Sequence, residues 1–195
     1  MIRVALALAG MAVLAACDPA GVAAPVAMLD GDLVVTPPAG YCSDPLSSRP
    51  RAGFAVFAPC VTLGTEAALP AILGVATVQA GDAGSAMVAG DEADLRDFLT
   101  SPQGAGLLSN GGGGATISVV SSQAFDGQVT VHFRDSGAPP MEGLGKEEWR
   151  AFTDVSDRLV TVSVRALDDA PITAGRGAAL LDLILKGISP ETEMP

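Results

Sequence analysis

The chain has 195 residues, enough for one domain with a leader and a tether, and long enough to bury a core unaided. Its 22 acidic and 11 basic residues give a net charge of −11, which excludes nucleic acid and anionic headgroups as electrostatic partners. Aromatic residues make up only 4%, so the core must lean on Val, Leu and Ile.

The chain opens with Met1-Ile2-Arg3, a short basic start. Residues 4–14 form an apolar run broken only by Gly10, and Leu14-Ala15-Ala16-Cys17 follows at once. These are the three parts of a secretory signal. Eleven residues rise only about 16 Å as a helix, roughly half the hydrocarbon core of a bilayer, so the segment is too short to stay as a spanning anchor.

The last four residues resemble the lipobox of bacterial lipoproteins. That resemblance implies a signal peptide over 1–16, acyl chains on Cys17 as the new amino terminus, and a location in the bacterial cell envelope facing the periplasm. Two or three acyl chains hold a protein stably where one holds it marginally. Asp18 resembles the residue that retains lipoproteins in the inner membrane of enteric bacteria; other bacterial groups do not all follow that rule, so inner and outer membrane both stay open. Removal of Arg3 with the leader leaves 10 basic against 22 acidic residues.

Residues 17–32 are rich in Ala, Gly and Pro without a sustained period and read as the lipidated terminus and a flexible tether. The domain is expected over 33–190, with 191–195 as a disordered tail. With Cys17 assigned to lipid, Cys42 and Cys60 remain in an oxidising compartment and are expected to form one disulfide.

In chain order, residues 33–36, 41–42, 53–58 and 72–79 are short β-leaning runs punctuated by Pro37-Pro38, Pro45, Pro50 and Pro70. An acidic first turn at Asp91, Glu92 and Asp94, with Leu95, Phe98 and Leu99 at helical spacing, predicts a helix over 92–100. Ser101-Pro102 then starts a second turn to about 108, stopped by Asn110 and the glycines 111–114. Residues 116–122 and 128–134 flank Asp126-Gly127, and 148–154 and 158–165 flank Ser156-Asp157, which predicts two tight hairpins. Val129, Val131 and Phe133 alternate with Thr130, His132 and Arg134, as expected for a sheet covered on one face. Thr173 as cap, Gly187 as stop and the stripe of Leu180, Leu181, Ile184, Leu185 and Ile188 predict a closing helix over 174–187, with Asp182 and Lys186 paired on its outside.

The sum is an α+β domain: a mostly antiparallel β-sheet with the helices at about 92–108 and 174–187 packed on one face. Its element order, with the Gly40-Tyr41 start and the terminal helix, is loosely similar to the extrinsic photosystem subunit P fold.

No catalytic set emerges. His132, the single histidine, excludes multi-histidine metal sites and reads as a solvated strand residue. No Gly-x-Ser-x-Gly elbow accompanies it. The run 110–114 lacks the Lys and Ser/Thr of a phosphate loop. Glu147 and Glu148, adjacent on a strand, point to opposite faces; Asp154 and Asp157 read as shaping the next turn. Trp149 shares a face with Ala151 and Thr153 and reads as a core or rim anchor. If the two hairpins are neighbours, His132, Arg134, Arg150 and Arg165 share one polar face, a patch for a carboxylate-bearing ligand or an acidic partner.

The functional expectation is a non-enzymatic binding or accessory module on the membrane, meeting an envelope protein or a small anionic ligand, with no cofactor, metal or nucleic acid. The alternative is a hydrolase whose site is assembled from residues distant in sequence.

Overall fold

A computed structural model describes residues 23–111 and 113–190. The signal 1–16, Cys17 and the tail 191–195 lie outside the described residues.

Three short strands, β1 (Val26–Met28), β2 (Leu33–Val35) and a late β10 (Ile188–Pro190), form a small antiparallel sheet in the order β1-β2-β10. The main sheet has seven antiparallel strands: β3 (Tyr41–Ser43), β4 (Phe54–Pro59), β5 (Val75–Ala80), β6 (Ile117–Phe125), β7 (Gln128–Asp135), β8 (Leu144–Val155) and β9 (Arg158–Leu167). Their order is β3-β4-β5-β9-β8-β7-β6. Two α-helices, α1 (Glu92–Thr100) and α2 (Ala174–Lys186), complete the α+β architecture. Neither described helix is long and apolar enough to cross a membrane.

Local chemistry explains the hairpins. Asp126 and Gly127, and likewise Ser156 and Asp157, all have positive φ between 50° and 69°, the left-handed pair that matches strand twist in two-residue loops. A side chain from α1 reinforces the first turn, where the Gly127 N–H donates to Glu92 Oε1 at 3.0 Å. The second short turn after α1 is 3-10, over Gly104–Leu107, and Ser101 Oγ accepts the Gly104 N–H at its start. Lys186 bonds to Asp182 one turn back on α2, as the spacing predicts.

Residues 26–32, expected as tether, belong to the domain. Val26 pairs with Val35, Met28 is 0% exposed, and the chain reverses through Leu29, Asp30 and Gly31 at positive φ. β10 docks on the other side of β2, with Ile188 opposite Val35, so the two ends of the domain meet on one strand. Cys42 and Cys60 are disulfide-bonded with Cα atoms 4.9 Å apart, tying β3 to the turn after β4. A loop of this length contributes roughly 3 kcal/mol in the chain-entropy model.

The register fixes which faces match. His132 on β7 lies opposite Trp149 on β8, and Trp149 opposite Val164 on β9; Phe133 lies opposite Glu148, and Glu148 opposite Arg165. Val129, Val131 and Phe133 therefore lie on the opposite face from Val160, Val162 and Val164. The apolar stripe changes sides across β8, and the helices follow it. Leu180, Leu181 and Ile184 of α2 pack with Val160, Val162, Val164, Trp149 and Ala151, whereas Leu99 of α1 packs with Val88, Leu108, Val129, Val131 and Phe133. The expectation that both helices share one face, and that only one face is covered, is corrected: each strand alternates as predicted, but neighbouring strands alternate in opposite phase.

One close approach seats α2. A Cβ added at Gly177 would lie 2.3 Å from the Trp149 ring, so the indole packs directly against the helix backbone. Gly177→Ala is expected to lower stability by about 1–3 kcal/mol through overpacking and to red-shift the emission of Trp149, the chain's single tryptophan. An unchanged unfolding midpoint and emission spectrum would refute this contact.

Candidate functional site

Because α1 covers only the β6–β7 half of its face, the remainder of that face is left to polar side chains. Thr77 and Gln79 of β5 and Thr161 and Ser163 of β9 line an open cleft of about 290 Å³, with Phe54 at its rim and Asn110 at its wall. The floor is ionic. Glu148 is 1% exposed; its Oε1 accepts Arg150 Nε at 2.7 Å, and its Oε2 meets Arg165 Nη2. Arg165 also donates to the Gly145 carbonyl at 3.0 Å. Arg150 donates to the Leu107 carbonyl at 2.9 Å and lies over the Phe133 ring, 5.4 Å from its centroid.

Asp135, also buried, completes the balance. Burial pushes its carboxyl up, but the Thr116 hydroxyl, the N–H groups of Gly137 and Asn110 and the charge of Arg165 together outweigh that and hold it below the usual range. The contact to Asn110 ties the glycine-rich segment to the sheet. Two guanidinium groups thus converge on the Glu148 carboxylate, with the buried Asp135 held by hydrogen bonds nearby and adding its charge opposite Arg165.

The expected four-residue patch is two clusters on opposite faces. Arg150 and Arg165 lie under the cleft with Glu148; His132 and Arg134 lie on the α2 face with Glu147. Arg134 Nη2 pairs with Glu147 Oε1, and His132 Nε2 stands 3.7 Å from Glu147 Oε2. The opposed side chains of Glu147 and Glu148 follow the strand alternation expected of them.

His132 is not the solvated residue expected from its polar neighbours. It is 8% exposed and stacks on Trp149 with ring centroids 4.4 Å apart and planes 12° off parallel. Burial lowers its pKa, the Arg134 charge adds to that, and Glu147 opposes both. Its Nε2 has no hydrogen-bond partner among the described residues. Ser121 lies opposite it across the β6–β7 register, yet no hydroxyl donates to the ring.

Asp154, expected to shape its own turn, instead reaches across the sheet end. Its carboxylate accepts the N–H groups of Met87, Val88 and Ala89 at 2.7 to 3.0 Å, fixing the approach to α1. Among the described residues, no three His, Cys, Asp or Glu side chains gather as a metal set.

The central role of Glu148 and the support from Asp135 escaped sequence reasoning. The available signal was Glu148 two residues before Arg150 on β8, with Arg165 opposite it on β9, the second partner being visible only once the register is known.

This arrangement of strands and helices recurs in solved structures. A single-residue variant of the protein Mog1 superposes with a TM-score of 0.55 at 12% identity, over 87% of this chain and 96% of its own. The Ran-binding protein Mog1p of Saccharomyces cerevisiae does so with 0.54 at 12%, over 86% and 94%. The fold is that of Mog1. At this identity the likeness to Mog1 carries the fold and no chemistry. A cyanobacterial PsbP (CyanoP) from Synechocystis is similar with a TM-score of 0.49 at 15%, over 92% and 98%. No protein-family model and no curated protein matches the sequence.

Two measurements check the electrostatics. Glu148→Gln leaves two buried guanidinium groups without their carboxylate and is expected to cost about 3–5 kcal/mol, read as the shift in urea midpoint. Replacing Glu148, Arg150 and Arg165 together by Met and Leu should restore most of it; a Glu148→Gln protein as stable as wild type would contradict this account.

His132 gives a pH dependence. Its folded pKa is depressed, so the unfolded chain binds the proton first as pH falls. Stability is full above the unfolded value near 6.5 and is lost as pH drops through the folded value. The difference in urea midpoint between about pH 7.5 and about pH 5.5 should shrink in His132→Phe, which keeps the stacked ring but does not titrate. An equal difference in both proteins would remove His132 from the pH response.

Proposed function

We propose that the protein is a lipid-anchored lipoprotein of the bacterial envelope whose domain is a non-enzymatic binding module, with the cleft beside α1 as its contact surface for a partner protein. The observation that carries the reading is the cleft itself: uncharged hydrogen-bonding side chains above a floor whose ions already satisfy one another. Such a floor holds Thr77, Gln79, Thr161 and Ser163 in fixed positions and offers no unpaired charge for catalysis.

A small anionic ligand is the weaker choice. Arg150 and Arg165 are both already paired with Glu148, and an incoming carboxylate would have to displace it at the cost of an unpaired buried charge. Yeast Mog1p, described as Ran-binding, is an instance of this fold engaging a protein. The anchor rests on Leu14-Ala15-Ala16-Cys17.

One experiment tests both halves. The full-length protein and Cys17→Ser are expressed in a bacterium fed labelled fatty acid; label is expected on the first and absent from the second. Proteins recovered with the tagged chain from detergent-solubilised membranes are then compared with those recovered by Gln79→Arg, which fills the cleft from an exposed position. Loss of a specific partner at unchanged thermal midpoint supports the cleft. Equal labelling of both chains would sink the anchor, and an identical set of partners would sink the cleft.

A further inference from the structure

The two edges of the main sheet are unlike. β3 is three residues long, carries the disulfide and runs into Asp44 and Pro45, so it offers little backbone to a neighbour. β6 is nine residues long and has no Pro and no ionisable side chain. Its outward backbone groups make no hydrogen bond to any other described element. Sheets ordinarily blunt such an edge with Lys, Pro, a bulge or a short strand. Here the only device is a bulge between Val119 and Ser121, which leaves Ser121 to Phe125 free beyond it. Val120 and Phe125 are 58% and 52% exposed.

The charge pattern says what can approach. β6 closes a stretch of 28 residues, 98–125, without one Asp, Glu, Lys, Arg or His, the longest such stretch in the chain. A second copy approaching most other surfaces meets like charge from a molecule of net −11. Along β6 itself it meets none, Asp126 lying just past the strand's end and Asp182 in the groove beside it. The strand is also self-complementary: a two-fold axis at Gln123 sets Gln123 opposite itself, Ser122 opposite Ala124 and Ser121 opposite Phe125, with no charged pair. That pairing brings Phe125 of one copy towards the groove of about 230 Å³ that Phe125, Leu181 and Leu185 line between β6 and α2.

We propose that the β6 edge is a homodimer interface, in which β6 of two copies pair antiparallel about Gln123 and join the two seven-stranded sheets into one. This goes beyond the binding reading above and depends on neither the cleft nor the anchor.

The test uses purified full-length protein carrying Gln123→Cys in a Cys17→Ser background, in which the other two cysteines are already paired with each other. Directly opposed residues of an antiparallel pair have Cα atoms about 4.5–5.5 Å apart, within disulfide reach. Mild oxidation should convert the monomer band to a dimer on a non-reducing gel, while Glu66→Cys, exposed and remote in sequence, stays monomeric. Adding Phe125→Lys to Gln123→Cys places a new charge in each copy at the interface and should abolish the dimer. Unoxidised wild type should sediment as a dimer, and the Phe125→Lys single variant as a monomer at the wild-type thermal midpoint. Dimer from Glu66→Cys equal to that from Gln123→Cys, or a wild type that sediments as a monomer, overturns the proposal. So does a Gln123→Cys protein that in membranes crosslinks to a different protein instead of itself, which would assign the edge to an extended segment of another partner.

Discussion

The register of β8 between its two neighbours sets almost every other feature of this domain. With Trp149 between His132 and Val164, and Glu148 between Phe133 and Arg165, the apolar side of β7 and the apolar side of β9 are forced onto opposite faces. A shift of one residue would reverse every side chain of β8. It would set Glu148 among the valines under α2 and Trp149 in the polar cleft. The ion cluster at Glu148 resists that shift, because Arg150 would move with Glu148 on β8 while Arg165 stays behind on β9, and breaking a buried ion pair costs several kcal/mol. The triad thus acts less as a source of stability than as a lock on register. Apolar residues of the same volume could fill the site, but they would not penalise the wrong alignment so heavily.

The opposite face has a matching arrangement built from rings. Trp149 lies between the His132 imidazole and the α2 backbone at Gly177, so the helix, β8 and β7 are stacked through one side chain. Glu147 and Arg134 close the outer end of this stack, where water screens the pair and little stability is gained. Burial beneath the helix disfavours the charged form of the imidazole, and Glu147 partly opposes it. Two neighbouring acids, Glu147 and Glu148, therefore do different work: one is half-exposed at a rim, and the other is sealed in the sheet.

Much of the fold was legible because its signals are local. Asp126-Gly127 and Ser156-Asp157 specify their turns through their own φ preferences, and Thr173 and Gly187 bracket α2 by punctuation alone. The pairing of Cys42 with Cys60 followed from counting. What escaped was relational. Alternation within β7 or β9 is visible in sequence, but the phase between strands is set by pairing, so His132 and Arg134 could not be separated from Arg150 and Arg165 beforehand. β1 and β10 are three residues each and have no period to detect; they exist because β2 offers both edges to them. Asp154 illustrates the same limit, since its partners at 87–89 are more than sixty residues away.

The buried ions also explain how the charge is distributed outside. Arg165 and most of Arg150 are taken into the sheet with the buried acids Glu148 and Asp135, so these ions cancel within the sheet and the excess acidic charge of the chain is left outside it. Self-repulsion of such a surface opposes compactness and association alike, and salt screens it over about 8–10 Å at ordinary ionic strength. Against this background two regions carry little net charge, the polar cleft beside α1, whose ions are paired, and the β6 strand. Both lie next to the uncharged 98–125 stretch, which supplies the cleft wall at Ser109 and Asn110 and the whole of the free edge. The lack of ionisable groups in that stretch is thus a property of the surface as much as of the chain: it leaves two neighbouring regions where backbone and uncharged side chains can be approached without electrostatic cost.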